Sequence, residues 1–477
     1  MACLQVRTNQ GLHQTVASLE VFNIFPTEVE LENRDCGTGV SDMDLPTTEQ
    51  IGPRSRRIVA PAKNVNSLVS VHEWFDNFYQ LEVRDSLSRF KELRAGGPVV
   101  HGVGMDFGTV VVPDLWNWHD RPSAMALTFD SVSQMMTNPD TFGHRLYAAE
   151  LGDQNPLFQD GPGHRHFRRM VIEAFNPRAV KDWEATARQL SDQLVDTFIA
   201  RGAADLNEDF AQKLPGQVFA IFMGAPLSDS EKLSAWAVRQ MSAFGDQAAE
   251  VIELLHGYFS KLIDDRRSLA PQDLAARHDL VSLLARVAVE GRAFNDVEIN
   301  TTLHVLLIGG ADTVYKGLSN TLYFLLTQDG ALERVRQDRG LIPKAVEEAI
   351  RLASPNVFGS SRLALVDTEL EGIPIKAGTA VIANISMANR DPARWEQPEE
   401  FDIDREQKMH LGWGNGPHTC LGMHLARLVI HSAINVLLDR APGLSLDASR
   451  PMPELVGVGS QATKHLYVTF GQAKQSV

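Results

Sequence analysis

One cysteine in this chain sits where a protein would present a sulfur anion to a metal. Cys420 lies in the stretch Met409–Arg427, M-H-L-G-W-G-N-G-P-H-T-C-L-G-M-H-L-A-R. Gly412, Gly414 and Gly416 crowd in before it, and Gly422 follows. Glycine lets a backbone take positive φ and come close to something flat or bulky. A helical pattern then begins with Met423, Leu425, Ala426, Leu428, Val429 and Ile430. A thiolate at a helix N-terminus is favoured by free backbone N–H groups and by the helix dipole.

Other residues with chemical potential lie upstream. Asp312 and Thr313 follow Gly309 and Gly310 inside a long apolar pattern, and an acid beside a hydroxyl can pass protons. Two interior glycines each cost a helix about 1 kcal/mol relative to alanine. Either the helix opens locally there or a neighbour packs close. Glu348 and Arg351 are spaced i,i+3, close enough to pair on a helix. His164 and Arg168 share a face of the basic run H-R-H-F-R-R. His164 with His166 as a zinc pair lacks a nearby cysteine or acidic partner.

The elements that must position these groups are mostly helical. The helix-like stretches are 68–96, 121–137 and most of 179–289. The run 160–169 opens another, stopped by Asn176-Pro177. Asn295 to about Gln328 reads as one long helix, with Asn295 and Glu298 as its capping box. A further helix spans Pro343 to Leu352. Residues 362–385 turn strand-like around Gly372 and Gly378, and H-L-Y-V-T-F closes the chain as a strand. The fold class is mainly α with a small β portion. Residues 1–60, polar and ending in a basic knot at 53–57, read as a partly ordered extension. Residues 61–477 read as a single domain.

Composition narrows the function. The chain has 477 residues, 44% of them hydrophobic and 22% charged, within the globular range. Its net charge of −15 argues against general nucleic-acid binding. Three cysteines without a CxxC pair suggest a reducing cytoplasm rather than a disulfide framework. The longest apolar runs are too short for a spanning helix, so no membrane anchor is expected.

The segment W-G-N-G-P-H-T-C-L-G (413–422) resembles the haem-binding cysteine loop of the cytochromes P-450, and the other motifs fall in that family's order. Trp413 stands where the family usually has phenylalanine, a change that bears on packing and N–H bonding beside the sulfur. G-G-A-D-T (309–313) is similar to the family's oxygen-binding groove. Glu348 and Arg351 are similar to its E-x-x-R clamp, whose third contact is altered because Glu400 precedes Phe401; Arg405 is the candidate substitute.

The resemblance implies a P-450 fold of the soluble bacterial type. Haem b would lie between the long distal helix and the proximal cysteine-bearing helix. Cys420 would be the axial iron ligand, His164, Arg168, Arg362 and His418 would hold the propionates, and Asp312 and Thr313 would manage protons. It also implies a monooxygenase that inserts one atom of O₂ into a substrate, with electrons from a separate ferredoxin-type donor and its NAD(P)H reductase. Wall positions carried over from the family are Val305, Ile308, Gly309, Val357, Phe358 and Val458. All are apolar or small, so the expected substrate is a lipophilic small molecule such as a terpenoid, steroid, fatty acid or polyketide. Arg165, His166 and Arg169 form a basic cluster suited to an acidic donor. Alternatives are a haem-thiolate peroxygenase, a non-catalytic haem-binding or gas-sensing protein, and a hydrolase using His164 or His166.

Overall fold

A computed structural model describes residues 86–102, 121–144, 146, 159–242, 246–359, 361–457 and 459–471. They fall in one compact unit, Ser55–Val477. The whole of the expected N-terminal extension, residues 1–60, the 68–85 part of the first expected helix and Val458 lie outside the described residues.

The long helix runs Asp296–Thr327, 32 residues, about 48 Å at 1.5 Å per residue. Asn295 and Glu298 close the capping box: the Glu298 N–H donates to the Asn295 side chain at 2.9 Å, and the Asn295 N–H donates to the Glu298 carboxylate at 3.0 Å. The helix is buried on nearly all sides, which its apolar sequence requires. Helices Lys213–Met223, Ser230–Ser242, Asp246–Arg267, Ile342–Leu352 and Met423–Arg440 pack against it. Gly317 brings it within van der Waals reach of Ile430 on the cysteine-bearing helix.

The helix stays continuous through Gly309-Gly310, and the two glycines do different things. A Cβ on Gly310 would lie 1.8 Å from the ring of buried Phe219, so this position is close packing. A Cβ on Gly309 would meet nothing within 4 Å. Gly310→Ala is therefore expected to destabilise by about 1–3 kcal/mol through overpacking. Gly309→Ala should leave stability equal or up to about 1 kcal/mol higher through helix propensity. Urea unfolding of the two variants checks this.

The β portion is small and segregated. One sheet has the strand order Val99–His101, Ser123–Ala126, Ala380–Ala383, Arg362–Ala364 and Phe142–Gly143. Residues 121–137 are thus a strand followed by the helix Phe129–Thr137, not helix throughout. The apolar alternation there is too short to separate the two periods, and pairing with Ala380–Ala383 decides it. A hairpin of Thr368–Leu370 with Ile373–Ile375 turns at Gly372, and Tyr467–Thr469 pairs with Ala203–Asp205 and Ser445–Leu446. Among the described residues no helix is long and apolar enough to cross a membrane.

Candidate active site

The cysteine loop folds through its own backbone. The Cys420 N–H donates to the Trp413 carbonyl at 2.8 Å, closing the loop ahead of the helix Met423–Arg440. Gly416 has a φ of 73°. A side chain there would also run into the Met136 carbonyl, 2.6 Å from the Cβ position. Cys420 is exposed although protein surrounds it deeply, so it faces an interior opening rather than the outer surface. Burial pushes its thiol up. The N–H groups of Gly422 and Met423 and the charges of Arg168 and Arg427 pull it the other way without prevailing. The helix start alone thus does not make the sulfur an anion; a bound metal ion would.

The indole of Trp413 is anchored through its ring nitrogen. Its N–H donates to Glu347 at 3.1 Å. Glu347 also accepts from Arg427 at 2.8 and 2.7 Å and lies 3.2 Å from His410 Nε2. The Arg427 guanidinium sits 5.1 Å from the centre of the Trp413 ring, in cation–π range. Burial pushes the Glu347 carboxyl up, but His410 and Arg427 outweigh it and hold it at about 2. Its folded value lies below its unfolded one, so the stabilisation is fully present above the ordinary glutamate range and is lost as pH falls towards about 2. Between pH 6 and pH 3 the melting temperature of the wild type should therefore fall further than that of Glu347→Gln.

The neighbouring carboxylate, Glu348, anchors the other side. Arg351 donates to it through two nitrogens at 2.8 Å each, and to the carbonyls of Asn389 and Pro398 at 2.8 Å and of Glu400 at 3.1 Å. Both side chains are buried. Arg405 supplies the third contact, its Nε 2.9 Å from Glu348. The clamp fixes the irregular segment that leads into the cysteine loop.

Beside the loop lies a cluster of basic side chains. His164 and Arg168 come from the helix Gly161–Phe175, Arg362 from its strand and His418 from the loop. Arg168 donates to the Thr419 carbonyl at 2.8 Å. The rings of His164 and His418 stack at 3.8 Å. Burial, then the charges of His418 and Arg168, holds His164 down at about 4; burial also lowers His418.

Two members of this cluster were not anticipated. Asp160, read only as the start of a helix, makes no side-chain cap. It accepts from the His144 backbone N–H at 2.7 Å and lies 3.3 Å from His418 Nε2. The His144 ring lies tilted against His418, ring centres 3.7 Å apart, and neither of its ring nitrogens has a partner among the described residues. A lone histidine outside every motif carried no signal in the sequence.

On the long helix, Val305, Ile308, Gly309 and Thr313 share one partly exposed stripe. The Thr313 hydroxyl donates to the Gly309 carbonyl. Asp312 is turned away into a buried ion pair with Lys316, one turn on. Val357 is fully buried, and its N–H donates to the Gly459 carbonyl at 3.0 Å. Phe358 packs edge-on against Phe90 at 5.7 Å. Those two are core positions in this structure. Of the outer basic residues, Arg169 pairs with Glu290 at 2.6 Å, while Arg165 is exposed and His166 half-buried. No three His, Cys, Asp or Glu side chains among the described residues are grouped to hold a metal ion.

The family model "Cytochrome P450" matches residues 233–441. The cytochrome P450 monooxygenase PikC of Streptomyces venezuelae is 34% identical over 372 residues, covering 76% of this chain and 86% of that protein. The chain belongs to the cytochrome P450 family. Among solved structures, the P450 PksS of the Bacillus subtilis bacillaene polyketide synthase matches with a TM-score of 0.72 at 26% identity, covering 82% of this chain and 97% of that one. P450BioI, solved with an acyl carrier protein bearing hexadec-9Z-enoic acid, matches with a TM-score of 0.69 at 28% identity, covering 84% and 100%.

A P450 carries a haem-thiolate cofactor and takes O₂ and electrons from redox partners. The residues here fit such a group. Cys420, the one cysteine among the described residues, is exposed to an opening. Among the described residues, the cluster gathers two arginines and three histidines beside the carboxylate of Asp160, a set rich in donors. Such a set suits a ligand bearing carboxylates.

Proposed function

We propose that this P450 is a haem b monooxygenase that inserts one oxygen atom of O₂ into a lipophilic small molecule. Among the terpenoid, steroid, fatty acid and polyketide classes, the two solved relatives named for a polyketide synthase and a fatty acyl carrier favour an acyl- or polyketide-type substrate. The electron source is a separate ferredoxin-type donor with its NAD(P)H reductase. The observation that carries the reading is Cys420, an interior cysteine exposed to an opening beside a cationic cluster.

Haem, when bound through Cys420, supplies the activation of O₂ and the oxygen transfer. His164, Arg168, Arg362 and His418 hold its carboxylates by charge-assisted hydrogen bonds. The stripe of Val305, Ile308 and Gly309 lines the substrate side of the opening, with Gly309 leaving room that a side chain would fill. Thr313 holds a proton at its Oγ1, tied back to Gly309 until it is needed. Asp312 is the acid beside it. It sits in a buried pair with Lys316, so its carboxylate must leave the ammonium to reach the opening.

Thr313→Ala tests the proton role. Substrate-induced spectral shifts should be kept, while most electrons from NAD(P)H appear as released hydrogen peroxide instead of product. Fully coupled turnover in the variant would remove Thr313 from proton handling. A panel of long-chain acyl, macrolide and steroid compounds tests the substrate class by the same shifts. Shifts with steroids alone would overturn the acyl or polyketide assignment.

A further inference from the structure

The orphaned imidazole of His144 is a basic side chain of the cluster that the proposed chemistry leaves unused. Its place is fixed by the sheet. Phe142 pairs with Ala364 and Gly143 with Leu363, and His144 follows directly where the pairing ends, towards the Arg362 end of the partner strand. Its backbone N–H is held by Asp160 at 2.7 Å. The residue is fully buried, and among the described residues neither ring nitrogen has a hydrogen-bond partner.

A sealed imidazole with no partner is costly, and native proteins rarely leave one. Its surroundings say what the partner is. His418 lies tilted over one face with ring centres 3.7 Å apart, His164 stacks on His418 at 3.8 Å, and the Arg362 charge is felt at the ring. The neighbouring carboxylate, Asp160, is already engaged with the His144 backbone and His418. An anion with an acceptor to spare is what the position lacks.

We propose that His144 donates its ring N–H to a carboxylate of the bound prosthetic group, alongside His164, Arg168, Arg362 and His418. This rests on the haem-thiolate reading above. The His418 ring lies tilted across one face of His144, and His418 itself is 3.3 Å from Asp160. The N–H of His144 lies in its own ring plane, so the neighbouring ring leaves that donor for the carboxylate.

Two substitutions in the purified holoenzyme separate the donor from the stack. His144→Phe keeps an aromatic ring against His418 and removes the N–H. His144→Asn keeps a donor and removes the ring. The readout is the rate of haem transfer to excess apomyoglobin, with thermal melting as a control on the fold. The Phe variant is expected to release haem roughly ten-fold faster, the effect of one lost hydrogen bond to a charged group. The Asn variant should stay near the wild type. Release from the Phe variant at the wild-type rate overturns the proposal, and so does equal acceleration in both variants, which would make the ring a packing element only. A wild-type protein purified without haem would instead overturn the cofactor reading itself.

Discussion

Cys420→Ser is expected to abolish the red-shifted Soret band of the ferrous carbon monoxide complex and all monooxygenase turnover, while leaving the fold nearly as stable as before. The first half follows from chemistry: a serine hydroxyl does not donate electron density as a thiolate does. The second half follows from the loop. Its closure runs through the Cys420 backbone N–H and the Trp413 carbonyl, and its anchoring through Trp413, His410 and Arg427 on Glu347. None of these bonds uses the sulfur. Burial, which pushes the thiol up, costs a neutral hydroxyl little by comparison with a charge. Carbon monoxide difference spectra and urea unfolding of the same preparation check both halves. An unchanged spectrum would remove the sulfur from the iron.

Arg351→Lys should cost stability on a scale that threatens folding. The guanidinium holds Glu348 through two bonds and three backbone carbonyls besides, all in a buried place. An ammonium is a point donor and cannot reproduce the fork. Carbonyls of the segment before the loop would be left unsatisfied beside a buried carboxylate. Removing one partner of a buried pair typically costs about 3–5 kcal/mol. Arg405 retains one bond to Glu348, which places the expected loss at the low end of that range. Urea unfolding measures it. A loss under about 1 kcal/mol would mean that Arg405 and the backbone hold the segment without the clamp.

Local signals in the chain were strong where one element decides its own shape. The long helix runs Asp296–Thr327 behind Asn295, close to the bounds that apolar pattern and capping chemistry set. The strand pairs around Gly372 and the clamp of Glu348, Arg351 and Arg405 were likewise legible. What was hidden depends on elements distant in sequence. Ser123–Ala126 is a strand because Ala380–Ala383 lies beside it. Gly310 is needed because Phe219 presses on it. His144 joins the cluster by strand register, and Glu347 gathers Trp413, His410 and Arg427 by tertiary packing. Lys316 was passed over because it reads as an ordinary helical lysine. Only burial among helices shows it paired with Asp312.

Glu347 and Glu348 are adjacent residues on one helix, and each grips a different stretch of the same strap of chain. Glu348, through Arg351 and Arg405, secures residues 389–405. Glu347 secures residues 410–427. The strap is riveted at both ends by protein alone. Because both rivets are protein contacts, the loop is expected to hold its shape in the apoprotein before the prosthetic group binds. Loading should then behave as simple saturable binding to a folded chain, with little change in helix content as it proceeds.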